Sequence, residues 1–244
     1  MSPSAFVHPV GRPLVLGHRG APRLARENTL EAFVAARELG ADGVELDVRA
    51  TSDGALVVHH DAAAEGLGVL AEHSLAEIRV ALPFVPTLEE VFEACTGMLV
   101  NVEIKNSPAD ADFDPEERVA AAVVELVRAG GLYATVLVSS FHLPTIDRVH
   151  ALDPDLATGY LFVLEPTVLE GAEVAAAHGH RAIHPFFGVL AVEAASTAVR
   201  RAHERGLDVN VWTVNGEDDI ARLAAAGVNT IMTDLPDVAL GILG

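Results

Sequence analysis

The chain has 244 residues, half of them hydrophobic, and a formal net charge of −19. That length and apolar share suffice for a large core in one domain spanning residues 1–244, close to the roughly 250 residues of an α/β barrel, and so acidic a surface argues against nucleic acid or an anionic membrane as the main partner. A single cysteine, Cys95, excludes an intrachain disulfide. Residues 1–12 lack the basic and apolar regions of a signal peptide, and no run reaches the roughly 18 apolar residues of a membrane span, so a cytoplasmic protein without stable membrane insertion is expected.

Residues 13–17 predict a short strand that runs into His18-Arg19-Gly20. Polar groups then stand at the carboxyl end of a strand, where α/β barrels build their sites. Residues 30–40 predict a helix capped by Asn28 or Thr29 and stopped by Gly40. Glu27 either favours that helix start or reaches back to orient Arg19.

Residues 43–61 carry the first unusual pattern. Glu45 and Asp47 alternate with Val44, Leu46 and Val48, which is strand periodicity with two carboxylates on one face. The plain explanation is a strand with a solvated polar face. The other is a buried pair held by a divalent cation, because hard carboxylate oxygens suit Mg²⁺ or Ca²⁺ and unpaired buried charges are costly. Ser52-Asp53-Gly54 then predicts a hairpin turn. Pairing sets Ala50 against Leu56 and Val48 against Val58, and brings His60 opposite Leu46, between Glu45 and Asp47. An imidazole beside the candidate cation is placed for proton transfer. Asp61 follows, to anchor the loop or orient the ring.

Residues 62–84 read as irregular, with a short helix at 74–79, and residues 86–95 as a helix capped by Thr87. Residues 98–105 form a strand with Asn101, Glu103 and Lys105 on one face. Glu103 is placed to complete a metal site and Lys105 to meet an anionic oxygen; a surface Glu–Lys pair is the plain alternative. Lys105 is the only lysine in the chain. A compact point charge among arginines suggests a specific need at that position.

Further helices are predicted at 115–130, with Glu116 and Glu117 in its first turn, and at 144–152, 167–178, 192–206 and 217–226. Strands are predicted at 136–141, 157–162, 182–185, 208–215 and 229–234. With the hairpin arm 55–59 set aside, eight strands alternate with helices. That pattern predicts an α/β protein, most simply a closed (β/α)₈ TIM barrel with a hairpin after its second strand. His184 ends a strand where it could face a ligand. His59, His73, His142, His178, His180 and His203 read as surface or loop residues, and Asp234 as a tie on the last loop.

His18-Arg19-Gly20, Glu27-Asn28-Thr29, Glu45-Leu46-Asp47-Val48, His60-Asp61, Glu103-Ile104-Lys105, Ser139-Ser140-Phe141, Trp212-Thr213-Val214-Asn215 and Thr233-Asp234 occur in one order. As a set they resemble the glycerophosphodiester phosphodiesterase family of phospholipase C-like barrels, over nearly the whole chain. The resemblance implies a metal-dependent hydrolase that takes a small glycerophosphodiester and releases sn-glycerol 3-phosphate and an alcohol, a reaction of glycerol and lipid metabolism. It implies Glu45, Asp47 and Glu103 as ligands of one Mg²⁺ or Ca²⁺, His18 and His60 as the acid–base pair, Arg19 and Lys105 as phosphate contacts, and Trp212 as the aromatic at the glycerol end. Two departures stand out. Arg26 replaces a frequent proline, and residues 62–86 are shorter than usual, a reduced insertion at the barrel mouth. Related activities remain as alternatives: a lysophospholipase D or sphingomyelinase D-like reaction, or a barrel that binds without catalysis.

Overall fold

The structure is a computed structural model that describes residues 6, 11–163, 167–192 and 194–244. In chain order it begins with β1 (Leu14–His18), α1 (Leu30–Glu38), β2 (Gly43–Ala50) and β3 (Leu56–Val58), then two short strands, β4 (Ala63–Ala64) and β5 (Gly68–Val69). Next come α2 (Leu75–Ala81), α3 (Leu88–Ala94), β6 (Leu99–Ile104), α4 (Arg118–Gly130), β7 (Val136–Ser140), α5 (Leu143–Leu152) and β8 (Ala157–Phe162). The remainder is α6 (Val168–Ala177), β9 (Ala182–Pro185), α7 (Val189–Val192), α8 (Ala195–His203), β10 (Asp208–Val211), α9 (Glu217–Ala226), β11 (Thr230–Thr233) and α10 (Pro236–Leu243).

Strands β1, β2 and β6 to β11 pair in parallel, and β1 bonds to both β2 and β11, which closes the eight-stranded barrel. The hairpin arm β3 adds antiparallel to β2 with Val48 opposite Val58 and Ala50 opposite Leu56, the register expected from its turn. On β2, Val44, Leu46 and Val48 pack with Phe33 of α1 and Val91 of α3. Each such buried side chain is worth about 1.5–3 kcal/mol, which holds the strand in its register. Glu45 and Asp47 therefore face inward and are 3% and 1% exposed, so the solvated-strand explanation does not hold.

Several expectations need correction. The helix predicted at 115–130 begins at Arg118, because the Asp114 carboxylate accepts from the backbone N–H groups of Glu116 and Arg118. Glu117 is its left-handed cap and points inward to Asn106 and Thr145. The helix predicted at 192–206 is two helices, α7 and α8, with residue 193 outside the described residues. The strand predicted at 208–215 stops at Val211, since the Asn215 carboxamide oxygen accepts from the Asp234 backbone N–H and the Thr233 hydroxyl. Helix α10 was not expected from the pattern. Residues 62–86 are ordered into β4, β5, a 3₁₀ turn and α2, built over a small core of Val57, Leu70, Ile78 and Val85. No helix among the described residues is long and apolar enough to cross a membrane. The signal-peptide reading of residues 1–12 falls largely outside the described residues.

Candidate active site

The site begins with a tight turn at the end of β1. A Cβ on Gly17 would lie 2.3 Å from the Gly20 carbonyl oxygen, and one on Gly20 would lie 2.7 Å from the Ala32 backbone. Glycine at both positions lets the turn press against α1, whose cap is Thr29. Within it Arg19 takes a left-handed conformation, φ 54°. Its backbone N–H then donates to Glu45 Oε2 at 3.1 Å, while its guanidinium donates to Glu27 Oε1 at 2.8 Å and lies 3.2 Å from Asp47 Oδ2. Glu27 thus does reach back to Arg19. Asn28 is also left-handed, φ 56°, and it caps no helix; its carboxamide donates to Asp47 Oδ2 at 2.8 Å.

Glu45 pairs in register with Asn101, and Asp47 with Glu103. The three carboxylates Glu45, Asp47 and Glu103 are buried and bring one oxygen each to within 4.8 Å of one another. Burial, then repulsion from Asp47, pushes Glu45 well above the usual carboxylate range. Burial does the same to Glu103, against the pull of Lys105. Asp47 goes the other way: burial would raise it, but Lys105, Arg19 and the Asn28 bond hold it low. Lys105 Nζ stands 2.9 Å from Glu103 Oε1 and 3.5 Å from Asp47 Oδ1, and the pair is enclosed rather than superficial.

Both imidazoles are braced by carboxylates. His18 Nδ1 lies 2.8 Å from Asp234 Oδ1, and Asn215 donates to the other Asp234 oxygen at 2.7 Å. Burial alone would lower His18, but Asp234 and Glu45 outweigh it and its pKa is raised. His60 arrives on the hairpin arm, with Nδ1 2.7 Å from Asp61 Oδ1. Burial, with Lys105 and Arg19 nearby, outweighs Asp47 and lowers its pKa. Buried Arg49 fixes the backbone at this point, donating to the His60 carbonyl at 2.9 Å while pairing with Asp112 and Asp110.

His18, Arg19, Glu45, His60, Glu103 and Lys105 line one cavity of about 200 Å³, together with Asn101. Its opposite wall is apolar: Phe141, Leu161, Trp212 and Met232. Trp212 is held by its indole N–H, which donates to the His184 carbonyl at 2.8 Å, and by edge contacts with Phe141 and Phe186. Residues 63–86 do not line this cavity. Arg26, at the proline position, stacks its guanidinium 4.1 Å over Phe84 and ties that segment to the turn before α1.

The structure therefore brings together Glu45, Asp47, Glu103, His18, His60, Arg19, Lys105 and Trp212, with Glu27 and Asp61 behind them. His184 is different. It is fully buried beneath the cavity, accepts from Asn210, and is kept neutral by a pKa driven down to about 3 by burial. Asp234, read from sequence as a loop tie, does bond Asn215 but also faces His18, a role the sequence reading did not give it. Asn28 and Arg49 were not singled out for these roles either.

A cation at the carboxylates would offset the burial and the mutual repulsion that raise Glu45 and Glu103. Asn101 adds to the fit: its buried carboxamide oxygen has no hydrogen-bond partner and its side chain lines the same cavity. Three carboxylate oxygens and one neutral oxygen form an oxygen donor set suited to Mg²⁺ or Ca²⁺. Such a site can hold an anionic ester against a cation, Arg19 and Lys105, with a proton carrier on either side. That is the equipment of a phosphoryl-ester hydrolase built on a TIM barrel.

Comparison with known proteins gives the family. Residues 18–238 match the Glycerophosphoryl diester phosphodiesterase family. The chain is 33% identical to the glycerophosphodiester phosphodiesterase of Caldanaerobacter subterraneus subsp. tengcongensis, covering 95% of this chain and 98% of that protein. Among solved structures, it resembles the glycerophosphodiester phosphodiesterase of Thermotoga maritima, with a TM-score of 0.79 and 30% identity over 94% of this chain and 97% of that one. It also resembles an Oleispira antarctica phosphodiesterase solved with the product sn-glycerol-3-phosphate, with a TM-score of 0.81 and 25% identity over 95% of this chain and 97% of that one. The chain belongs to the glycerophosphoryl diester phosphodiesterase family, and it is an enzyme of that class.

Proposed function

We propose that this protein hydrolyses small glycerophosphodiesters to sn-glycerol 3-phosphate and an alcohol, with one Mg²⁺ or Ca²⁺ at Glu45, Asp47 and Glu103. The observation that carries the reading is the joining of these three buried carboxylates, both braced imidazoles and the sole lysine around one cavity. The product bound by the Oleispira antarctica relative is consistent with it. When bound, the cation supplies charge neutralisation at the phosphoryl oxygens.

The chain's own residues supply the rest. Arg19 and Lys105 meet the phosphoryl oxygens, and the Trp212 wall packs against the glycerol carbons. His18 holds its Nδ1 proton toward Asp234, which leaves Nε2 as the free nitrogen. Its raised basicity suits it to take a proton from the attacking hydroxyl, and Asp234 stabilises the imidazolium that forms. His60, the more acidic ring, gives a proton to the departing alkoxide, with Asp61 on its far nitrogen. In a two-step path through a cyclic phosphate, the two exchange roles in the second step.

The test is release of glycerol 3-phosphate from choline, ethanolamine and glycerol diesters with Mg²⁺ present. Release from none of them would overturn the reading. Residues 62–86 do not line the cavity, so that segment adds no group to read the alcohol. The three substrates are expected to differ by less than about 1–3 kcal/mol in transition-state binding, which is the worth of one small pocket contact. Specificity constants spread over several powers of ten would mean that another loop reads the head group.

Lys105 offers a second check. Lys105→Met is expected to lower kcat about 10²–10³-fold, the scale of losing one donor to a developing anion. Lys105→Arg is expected to fall between the two, because the planar fork is larger and aims its donors differently. Unchanged kinetics in Lys105→Met would confine the residue to balancing Glu103.

A further inference from the structure

A second group of ligand-type side chains lies at the other end of the barrel. Asp147 stands at the middle of α5, and His178 and His180 flank Gly179 in the turn between α6 and β9. Both positions are toward the amino ends of the strands, away from the active-site cavity. Gly179, with φ 81°, bends the chain between the two histidines. Their rings stack with centroids 6.0 Å apart. His178 Nδ1 lies 2.8 Å from Asp147 Oδ1, and His180 Nε2 lies 3.1 Å from the same oxygen.

His180 departs from the surface placement expected of it. Its side chain is 0% exposed, and its Nδ1 is 2.9 Å from the Thr158 hydroxyl. Its Nε2 is a buried atom with no hydrogen-bond partner, in spite of its closeness to Asp147. The Nδ1 contact to Thr158 leaves Nε2 as the ring nitrogen aimed into the cluster, 3.1 Å from Asp147 Oδ1. A cation bound here would satisfy this buried nitrogen and share the Asp147 oxygen with His178.

We propose that Asp147, His178 and His180 form a second metal site, for Zn²⁺ or a similar transition-metal dication, that clamps α5 to the turn entering β9. Two imidazole nitrogens and one carboxylate oxygen are a donor set for zinc rather than for Mg²⁺ or Ca²⁺. Zinc bonds of roughly 2.0–2.1 Å in a tetrahedron place ligand atoms about 3.3 Å apart, close to the spacing already present. Thr158 is the outer partner that fixes the His180 ring, as metal-bound histidines require. Water takes the fourth position. At the amino-terminal face of a barrel, such a site serves stability rather than turnover.

The probe is Co²⁺ and then Zn²⁺, added to metal-free protein with excess Mg²⁺ present to fill the oxygen site. One equivalent of Co²⁺ is expected to bind with the intense visible band of a four-coordinate nitrogen–oxygen site. Zn²⁺ is expected to displace it and raise the thermal midpoint. Asp147→Ala and His178→Ala, at partly exposed side chains, are expected to lose both band and shift and to keep Mg²⁺-supported activity. In wild-type crystals soaked with Zn²⁺, an anomalous peak is expected among the three side chains. Absence of Co²⁺ uptake, an unchanged band in both variants, or a zinc peak only at Glu45, Asp47 and Glu103 would overturn the proposal. These readouts do not depend on phosphodiesterase activity, so they stand apart from the proposed function.

Discussion

Glu45→Gln is expected to cost more than about 100-fold in turnover, and exhaustive chelation to abolish it until Mg²⁺ or Ca²⁺ is restored. Groups that merely support a metal ligand are worth about 10–100-fold, so a ligand itself sets a higher floor. The fold should survive. In the metal-free protein, burial and the Asp47 charge raise the Glu45 pKa. A carboxyl raised in the folded state binds its proton more tightly folded than unfolded, so its contribution to stability falls as pH rises. Glutamine mimics the protonated form. Metal-free Glu45→Gln is therefore expected to melt no lower than metal-free wild type at neutral pH, and its thermal midpoint to respond less to Mg²⁺. Full activity after chelation would sink the metal assignment. A lowered metal-free midpoint would show that Glu45 matters to the fold for another reason.

Asp234→Asn is expected to lower kcat by about 10²–10⁴-fold, the range for misdirecting one proton carrier. The aspartate accepts from His18 Nδ1, which keeps Nε2 free, whereas an amide can turn its NH₂ group toward the ring and favour the other tautomer. The pH dependence carries a sign. Burial lowers the His18 pKa and Asp234 is the largest single influence raising it. Without that carboxylate the pKa falls. Since a base works in its unprotonated form, the acidic limb of the kcat/KM profile is expected to move to lower pH while the plateau drops. A limb that stays in place would leave Asp234 with the loop-tying role read from sequence.

Local pattern made much of this molecule legible. The barrel strands were readable because alternation with helices is a property of consecutive residues, and the hairpin register because the turn at residues 52–54 fixes which positions face each other. Glu45, Asp47 and Glu103 stood out because charge on an inward strand face breaks an otherwise apolar alternation. What escaped depends on closure. Asp234 meets His18 across 216 residues, and only the joining of first and last strands makes them neighbours. Asn28 stood beside a good helix cap, and nothing local shows that a left-handed backbone turns it toward Asp47. Nothing local marks Arg49, whose role depends on Asp110 and Asp112, 61 and 63 residues on, meeting its guanidinium. His180 shares its short turn with exposed His178, and the Thr158 it meets lies on β8, 22 residues earlier in the chain.

The seam between β1 and β11 also bears on the life of the chain before it is complete. On a ribosome, His18 emerges 216 residues before Asp234. Until β11 inserts between β1 and β10, the ring has no carboxylate behind it, however well the earlier strands have paired. A nascent or truncated chain with every cation ligand in place would still lack its oriented base. In the proposed chemistry full turnover therefore waits on the strand pairing that shuts the barrel.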